Sequence, residues 1–130
     1  MANYLRIGFL GAGKMASALA KGIVTAGVAR SEDLMASDVV EGARTAFGKE
    51  LGCKVTAWNV EVADFADVLI VAVKPDQVEG LLSELAAKVS EHHVIVSIAA
   101  RRTALVRETV HESNGPNAGV WIQLMKRGSR

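Results

Sequence analysis

Ile7-Gly8-Phe9-Leu10-Gly11-Ala12-Gly13-Lys14-Met15-Ala16 is the stretch that decides the fold. An apolar strand pattern runs into G-x-G-x-x-A, and a helix pattern follows at once. Gly11 suits a tight turn. Gly13 lets main chain approach a pyrophosphate with no Cβ in the way, and Ala16 lets the helix pack close to the sheet. The helix start offers unpaired N–H groups and a positive dipole end to phosphates. Glycine-rich turns also occur for purely structural reasons. The strand before and the helix after favour a dinucleotide site over that plainer reading.

Outward from this turn, strand and helix patterns alternate. Leu5–Leu10 reads as the first strand. Lys14–Thr25 reads as a helix with Met15, Ala18, Leu19, Gly22 and Ile23 on its apolar face, ended by Ala26-Gly27. Asp33–Ser37 reads as a second strand, Val40–Leu51 as a second helix ended by Gly52, and Lys54–Thr56 as a third strand. Asn59 suits the N-cap of a short helix, Val60–Phe65. Val68–Val73 is a continuous apolar run, as expected of a central parallel strand buried on both faces. Pro75 suits the first turn of a helix reaching about Val89, with Leu81, Leu82, Leu85 and Val89 as its stripe. Val94–Ile98 is a fifth strand, Thr103–Ser113 a further helix, Asn114-Gly115-Pro116-Asn117 a turn and Val120–Met125 a sixth strand. The expectation is an α/β, Rossmann-type, doubly wound and mostly parallel sheet in the order 3-2-1-4-5-6, with residues 1–130 as a single domain.

Composition narrows the function. The chain has 130 residues, half of them hydrophobic, with 15 basic and 14 acidic side chains and a net charge of +1. That balance gives no electrostatic case for nucleic acid. Arg101-Arg102 and the terminal Lys126, Arg127 and Arg130 read as solvated surface. Cys53 is the single cysteine, which excludes an internal disulfide and reads as a small packed thiol rather than a reactive one. His92, His93 and His111 lack metal-ligand spacing. No apolar run approaches the roughly 20 residues that span a bilayer, and Met1–Arg6 leads straight into a strand, so the expectation is a cytoplasmic protein without a membrane partner.

In this fold the ribose-reading residue ends the second strand, and Asp38 stands there after Ala36-Ser37. A carboxylate accepts hydrogen bonds from the 2′- and 3′-hydroxyls and repels a 2′-phosphate, which favours NAD(H) over NADP(H). The competing reading is a helix-capping Asp. Arg44, on the following helix, could still meet a 2′-phosphate. Lys74-Pro75 follows the central strand at its ligand-binding end. Lys74 itself reads as a solvated loop lysine, whereas Ala72, Val73 and Pro75 form a smooth wall for a flat cofactor. Ala99-Ala100, after the fifth strand, could do the same near the nicotinamide.

These words together resemble the N-terminal domain of pyrroline-5-carboxylate reductase, the last enzyme of proline synthesis. They are the 7–16 stretch, Ala18-Leu19-Ala20-Lys21-Gly22, Met35-Ala36-Ser37, Val55-Thr56 with Asn59, Ala66-Asp67-Val68-Leu69, Ala72-Val73-Lys74-Pro75 and Val96-Ser97-Ile98-Ala99-Ala100. The match is strongest over 5–100, and 101–130 diverge. A-V-K-P and S-I-A-A, with the glycine motif, are far more specific than that motif alone. The resemblance implies that the domain binds NAD(P)H. Its glycine turn would be Leu10, Gly11, Ala12, Gly13, Lys14 and Met15; its second-strand corner Ser37 and Asp38, with Asn59 nearby; its far wall Ala72, Val73, Lys74 and Pro75, then Ile98, Ala99 and Ala100. It implies hydride transfer to 1-pyrroline-5-carboxylate in the complete family, and assigns no catalytic or metal-ligating residue here.

Three departures qualify it. Relatives often carry a short neutral polar residue where Asp38 stands, which puts NADP preference in doubt. Arg101 and Arg102 replace a Gly and a small apolar residue. After Val120-Trp121-Ile122-Gln123-Leu124-Met125, where the family reads M-P-N-T-P, the chain reads Lys126-Arg127-Gly128-Ser129. The family's helical second domain, which forms its dimer and holds the proline ring, has no counterpart in these residues. The expectation is therefore a monomer or a weak dimer through apolar surface near Trp121, with no turnover by the chain alone. Two other readings are a truncated or diverged stand-alone dinucleotide-binding module, and a deazaflavin-dependent NADP reductase. The A-V-K-P and S-I-A-A words argue against the latter.

Overall fold

Side chains alternate across a strand, so a strand buried on both faces must divide its apolar residues between two cores. A computed structural model describes residues 5–90, 93–98 and 120–123. Ile7, Phe9, Leu34, Ala36 and Ile70 belong to one core, and Leu10, Leu69, Val71 and Ile95 to the other. The strands are β1 (Ile7–Leu10), β2 (Leu34–Ser37), β3 (Lys54–Thr56), β4 (Val68–Val71), β5 (Val94–Ser97) and β6 (Val120–Gln123). They form one sheet in the order β3-β2-β1-β4-β5-β6, the predicted order, and every pairing is parallel. Ile7 stands opposite Leu34 on one side and Val68 on the other, which fixes β1 at the centre.

The helices cover both faces. α1 (Lys14–Thr25) and α2 (Glu41–Leu51) lie over the first core through Ala16, Ala20, Phe47 and Leu51. The Phe9 and Phe47 rings meet at 5.6 Å between centroids, tilted by 55°. Burying an aromatic or aliphatic side chain of this size contributes about 1.5–3 kcal/mol. α3 (Asn59–Phe65) and α4 (Val78–Leu85) cover the second core through Val62, Ala63, Val78, Leu81 and Leu85. α3 approaches β1 at Gly8, where a Cβ would collide with Val62 Cγ1 and stand 2.9 Å from Ala66 Cβ. His93, fully buried, joins α3 to the connection before β5: its Nδ1 accepts the Ser90 N–H at 3.0 Å and its Nε2 lies 3.0 Å from the Ala63 carbonyl.

Several boundaries differ from the sequence reading. α1 keeps its predicted span but not its predicted face. Ala16 and Ala20 are buried, with Leu19, Ile23 and Val24 beside them, while Met15, Ala18 and Gly22 are exposed. So many α1 residues are small or apolar that periodicity cannot set the phase, and the core that α1 shares with α2 and the sheet takes Ala16 and Ala20 rather than Met15. β1 begins at Ile7 rather than Leu5, because the Arg6 carbonyl accepts the N–H groups of Asp67 and Val68 instead of joining a ladder. The second strand loses Asp33 to a 3₁₀ turn, Ser31–Asp33, where the Arg30 guanidinium grips the Asp33 carboxylate and holds it below the usual carboxylate range. Pro75–Gln77 is also a 3₁₀ turn. α4 stops at Leu85, whose carbonyl accepts both the Lys88 and the Val89 N–H groups. Val89 still reaches the core. The helix expected over 103–113 and the turn over 114–117 lie outside the described residues, and the sixth strand is described over Val120–Gln123.

Candidate functional site

β1 lies between β2 and β4, so the connections after β1 and β4 leave the sheet toward opposite faces, and a crevice opens at the carboxyl ends of the strands. The chain leaves β1 through Gly11, whose φ of +110° is one that L side chains rarely adopt. A Cβ there would also lie 2.8 Å from the Ala72 carbonyl carbon and oxygen. The Gly11 N–H donates to the Ser37 carbonyl at 2.9 Å, and the Ala72 N–H donates to the Leu10 carbonyl at 2.9 Å. The turn is thus tied to β2 on one side and to the exit of β4 on the other.

Gly13 is different. It is the N-cap of α1 with φ −80° and ψ −170°, extended backbone open to any residue. A Cβ at Gly13 would meet nothing within 4 Å. No side chain caps α1 and no acidic residue stands in its first turn. The first main-chain bond runs from the Ser17 N–H to the Gly13 carbonyl, so the N–H groups before it have no acceptor within the helix. Lys14 and Met15 are exposed, whereas Ala16 is buried against the sheet.

At the end of β2, the fully buried Ser37 donates its hydroxyl proton to Asn59 Oδ1 at 2.5 Å. Asn59 is therefore not the predicted N-cap. α3 begins at Asn59 itself after Trp58, and its amide faces Ser37 because a buried hydroxyl needs a partner more than a short helix needs a cap. Asp38 Oδ2 accepts the Ala12 N–H at 3.0 Å, and Oδ1 accepts the Val40 N–H at 2.9 Å. The second bond resembles the capping role weighed from sequence, although α2 takes Val40 as its N-cap. Arg44 Nη1 donates to the Asp38 carbonyl at 2.8 Å.

These groups line a cleft of about 330 Å³. Gly11, Ser37, Asp38, Asn59 and Val73 form part of its wall, and α4 and the 3₁₀ turn before it add Asp76, Gln77, Leu81 and Glu84. The sequence reading stopped at Pro75 and missed the α4 side. Its signal was position, since these residues follow directly on the central strand's carboxyl end. Ala12, Gly13 and Lys14 border a second cleft, about 390 Å³, between α1 and α2. Within it Lys21 pairs with Glu50 at 2.6 Å and, with a Ser17 bond, holds that carboxylate below its usual range. Leu10 is buried in the core rather than open to the cleft. Ala72 is half-buried and Lys74 exposed. Pro75 opens the 3₁₀ turn. Ile98 donates its N–H to the Val71 carbonyl and packs against the α1–α2 core. Ala99 and Ala100 lie outside the described residues, as do Arg101 and Arg102.

Cys53 is half-buried, and burial pushes its thiol up to about 11. It is a packed thiol, as the sequence reading favoured. Among the described residues no helix is long and apolar enough to cross a membrane, and no cluster of His, Cys, Asp or Glu is arranged to hold a metal.

A parallel sheet with its strand order reversing beside a G-x-G-x-x-A turn defines a dinucleotide-binding domain of the Rossmann class. The chain matches the family described as NADP oxidoreductase, coenzyme F420-dependent, over residues 6–101, and it belongs to that family. The pyrroline-5-carboxylate reductase of Methanosarcina acetivorans is 40% identical over 95 residues, covering 73% of this chain and 35% of that protein. The chain spans about a third of the length of the curated relatives it matches. A pyrroline-5-carboxylate reductase structure from Coxiella burnetii superposes with a TM-score of 0.77 at 18% identity, over 96% of this chain and 60% of that one. The Plasmodium falciparum pyrroline carboxylate reductase structure, with NADP bound, gives 0.60 at 17% identity, over 93% and 58%. The residues described here are an NAD(P)-binding domain of the pyrroline-5-carboxylate reductase-like oxidoreductases, as the resemblance implied.

Proposed function

We propose that the turn Gly11–Met15 holds the pyrophosphate of NAD(P)H, and that the Ser37-Asp38 corner and Asn59 receive its adenosine half. Ala72–Pro75 and Ile98–Ala100 would wall its nicotinamide end. The observation that carries this reading is Gly13. Neither its backbone conformation nor any neighbour requires glycine, yet it caps a helix whose first N–H groups are open. A phosphate oxygen would meet those N–H groups and the positive end of α1 without desolvating any carboxylate of that helix turn.

By this reading the cofactor preference leans to NADH. Each Asp38 oxygen uses one lone-pair direction on a main-chain N–H and keeps another for a ribose hydroxyl. A 2′-phosphate would face the same carboxylate. Arg44 is already docked on the Asp38 carbonyl, and its remaining N–H groups would soften that repulsion rather than remove it.

The proposed reaction is the one that the names of the relatives carry, reduction of 1-pyrroline-5-carboxylate at its imine carbon. When bound, the reduced nicotinamide supplies the hydride. The residues described here bind and orient the cofactor and shield one face of it. Titration of the 130-residue protein with NADH, followed by amide shifts, tests the reading. Shifts centred on Gly13, Lys14 and Met15 are expected, with weaker ones at Asp38 and Asn59. An absence of shifts at Gly13 and Lys14 under saturating NADH would refute it.

A further inference from the structure

We propose that Asp38 is a positioning residue of the glycine-rich turn, in addition to facing the ribose; this rests on the dinucleotide reading above. Every polar group of Asp38 has a partner within the protein. Its N–H donates to the Thr56 carbonyl at 3.2 Å, and its carbonyl accepts Arg44 Nη1 at 2.8 Å. One carboxylate oxygen accepts the Val40 N–H and the other reaches across 26 residues to the Ala12 N–H. Asp38 therefore joins β3, α2 and the turn after β1 in one knot.

The Ala12 bond is the informative one. Ala12 is 5% exposed, so its N–H needs a partner inside the protein. The neighbouring Gly11 N–H has a main-chain acceptor, the Ser37 carbonyl. Ala12 has the charged carboxylate of Asp38. A charge-assisted bond is stronger than a neutral one and fixes the peptide plane between Gly11 and Ala12. That plane is one peptide ahead of Gly13, where the phosphate would sit, so fixing it limits the freedom of the Ala12–Gly13 peptide that follows. A turn held in this way loses little freedom on binding, which raises affinity without any contact to the ligand.

The consequence separates this role from cofactor choice. A carboxylate that only reads the ribose would, once removed, weaken NADH and strengthen NADPH. A carboxylate that also holds the turn would, once removed, weaken both, NADH the more.

The experiment uses the 130-residue protein and its Asp38→Ser and Asp38→Asn variants. Amide exchange at Ala12 is measured without ligand, and NADH and NADPH affinities by calorimetry. In Asp38→Ser, Ala12 exchange should rise by about tenfold or more, since its partner is lost while the sheet stays closed. Both cofactors should weaken, NADPH by roughly threefold and NADH by roughly tenfold or more. Asp38→Asn keeps one carbonyl acceptor and should restore part of the Ala12 protection, which also guards against a serine variant that fails to fold. Unchanged Ala12 exchange in both variants overturns the proposal. So does faster exchange accompanied by tighter NADPH binding, which leaves the carboxylate as a ribose reader alone. Failure of the unsubstituted protein to bind either dinucleotide overturns the functional reading instead, and with it this role.

Discussion

The two ends of the glycine-rich turn make opposite demands on glycine. At the inner end, Gly11 has a positive φ and the Ala72 main chain against it, and its N–H is bonded to β2. At the outer end, Gly13 has ordinary backbone angles and open space around it. The fold requires the first glycine; at the second, glycine is one of several residues that suit an N-cap, and nothing around it demands the missing Cβ. Gly22, Gly42 and Gly80 are as open as Gly13, but Gly13 alone of these starts a helix directly after the central strand, where open space leaves room for a phosphate to approach the first N–H groups. The inner end is therefore structure, and the outer end is the candidate site.

That contrast predicts where substitutions act. Gly11→Ala should cost the most stability, about 2–4 kcal/mol, because strain at a positive φ adds to a main-chain clash. Urea denaturation checks it, and a loss below about 0.5 kcal/mol, the size of an ordinary surface substitution, would place Gly11 with Gly13 as a ligand-driven glycine. Ser37→Ala should cost less, about 1–2 kcal/mol, since the Asn59 carbonyl loses its donor at the half-buried edge of the cleft. The same melts would show it, and a neutral result would mean that solvent replaces the hydroxyl.

The effect smallest at neutral pH lies away from the turn. The Cys53 thiol is raised from an ordinary 9.0 to about 11 by burial, so its neutral form is the one the fold favours. The unfolded chain ionises first. Stability from this group is therefore complete below about pH 9 and is lost as pH climbs toward about 11. Iodoacetamide should label the folded protein slowly at pH 8 and the urea-unfolded protein much faster. Equal rates would show that the thiol is open to solvent.

Much of the fold was legible because the signals were redundant. The run from Val68 and the G-x-G-x-x-A turn after β1 each point to a central parallel strand, and together they order the sheet. The phase of α1 was not legible, because its residues are too uniformly small to mark a face, and only the core shared with α2 and the sheet buries Ala16 and Ala20 rather than Met15. Asn59 was read as a cap since capping is a local signal, whereas its partner Ser37 is 22 residues away and adjacent only in the folded sheet. The same holds for Asp38. Its place at the end of β2 was evident, but not its bond to Ala12, which exists only once β1 and β2 are paired. The α4 wall of the cleft escaped notice because Asp76, Gln77 and Glu84 form no motif; the 3₁₀ turn and the helix direction bring them to the crevice.

The most direct test of the claim that Gly13 is kept small for a ligand is Gly13→Val, examined by calorimetry with NADH and by thermal melting. The account predicts that NADH binding is lost, while stability changes by no more than about 1 kcal/mol, the range for exchanging an exposed N-cap glycine. Undiminished NADH affinity in the valine protein would contradict it.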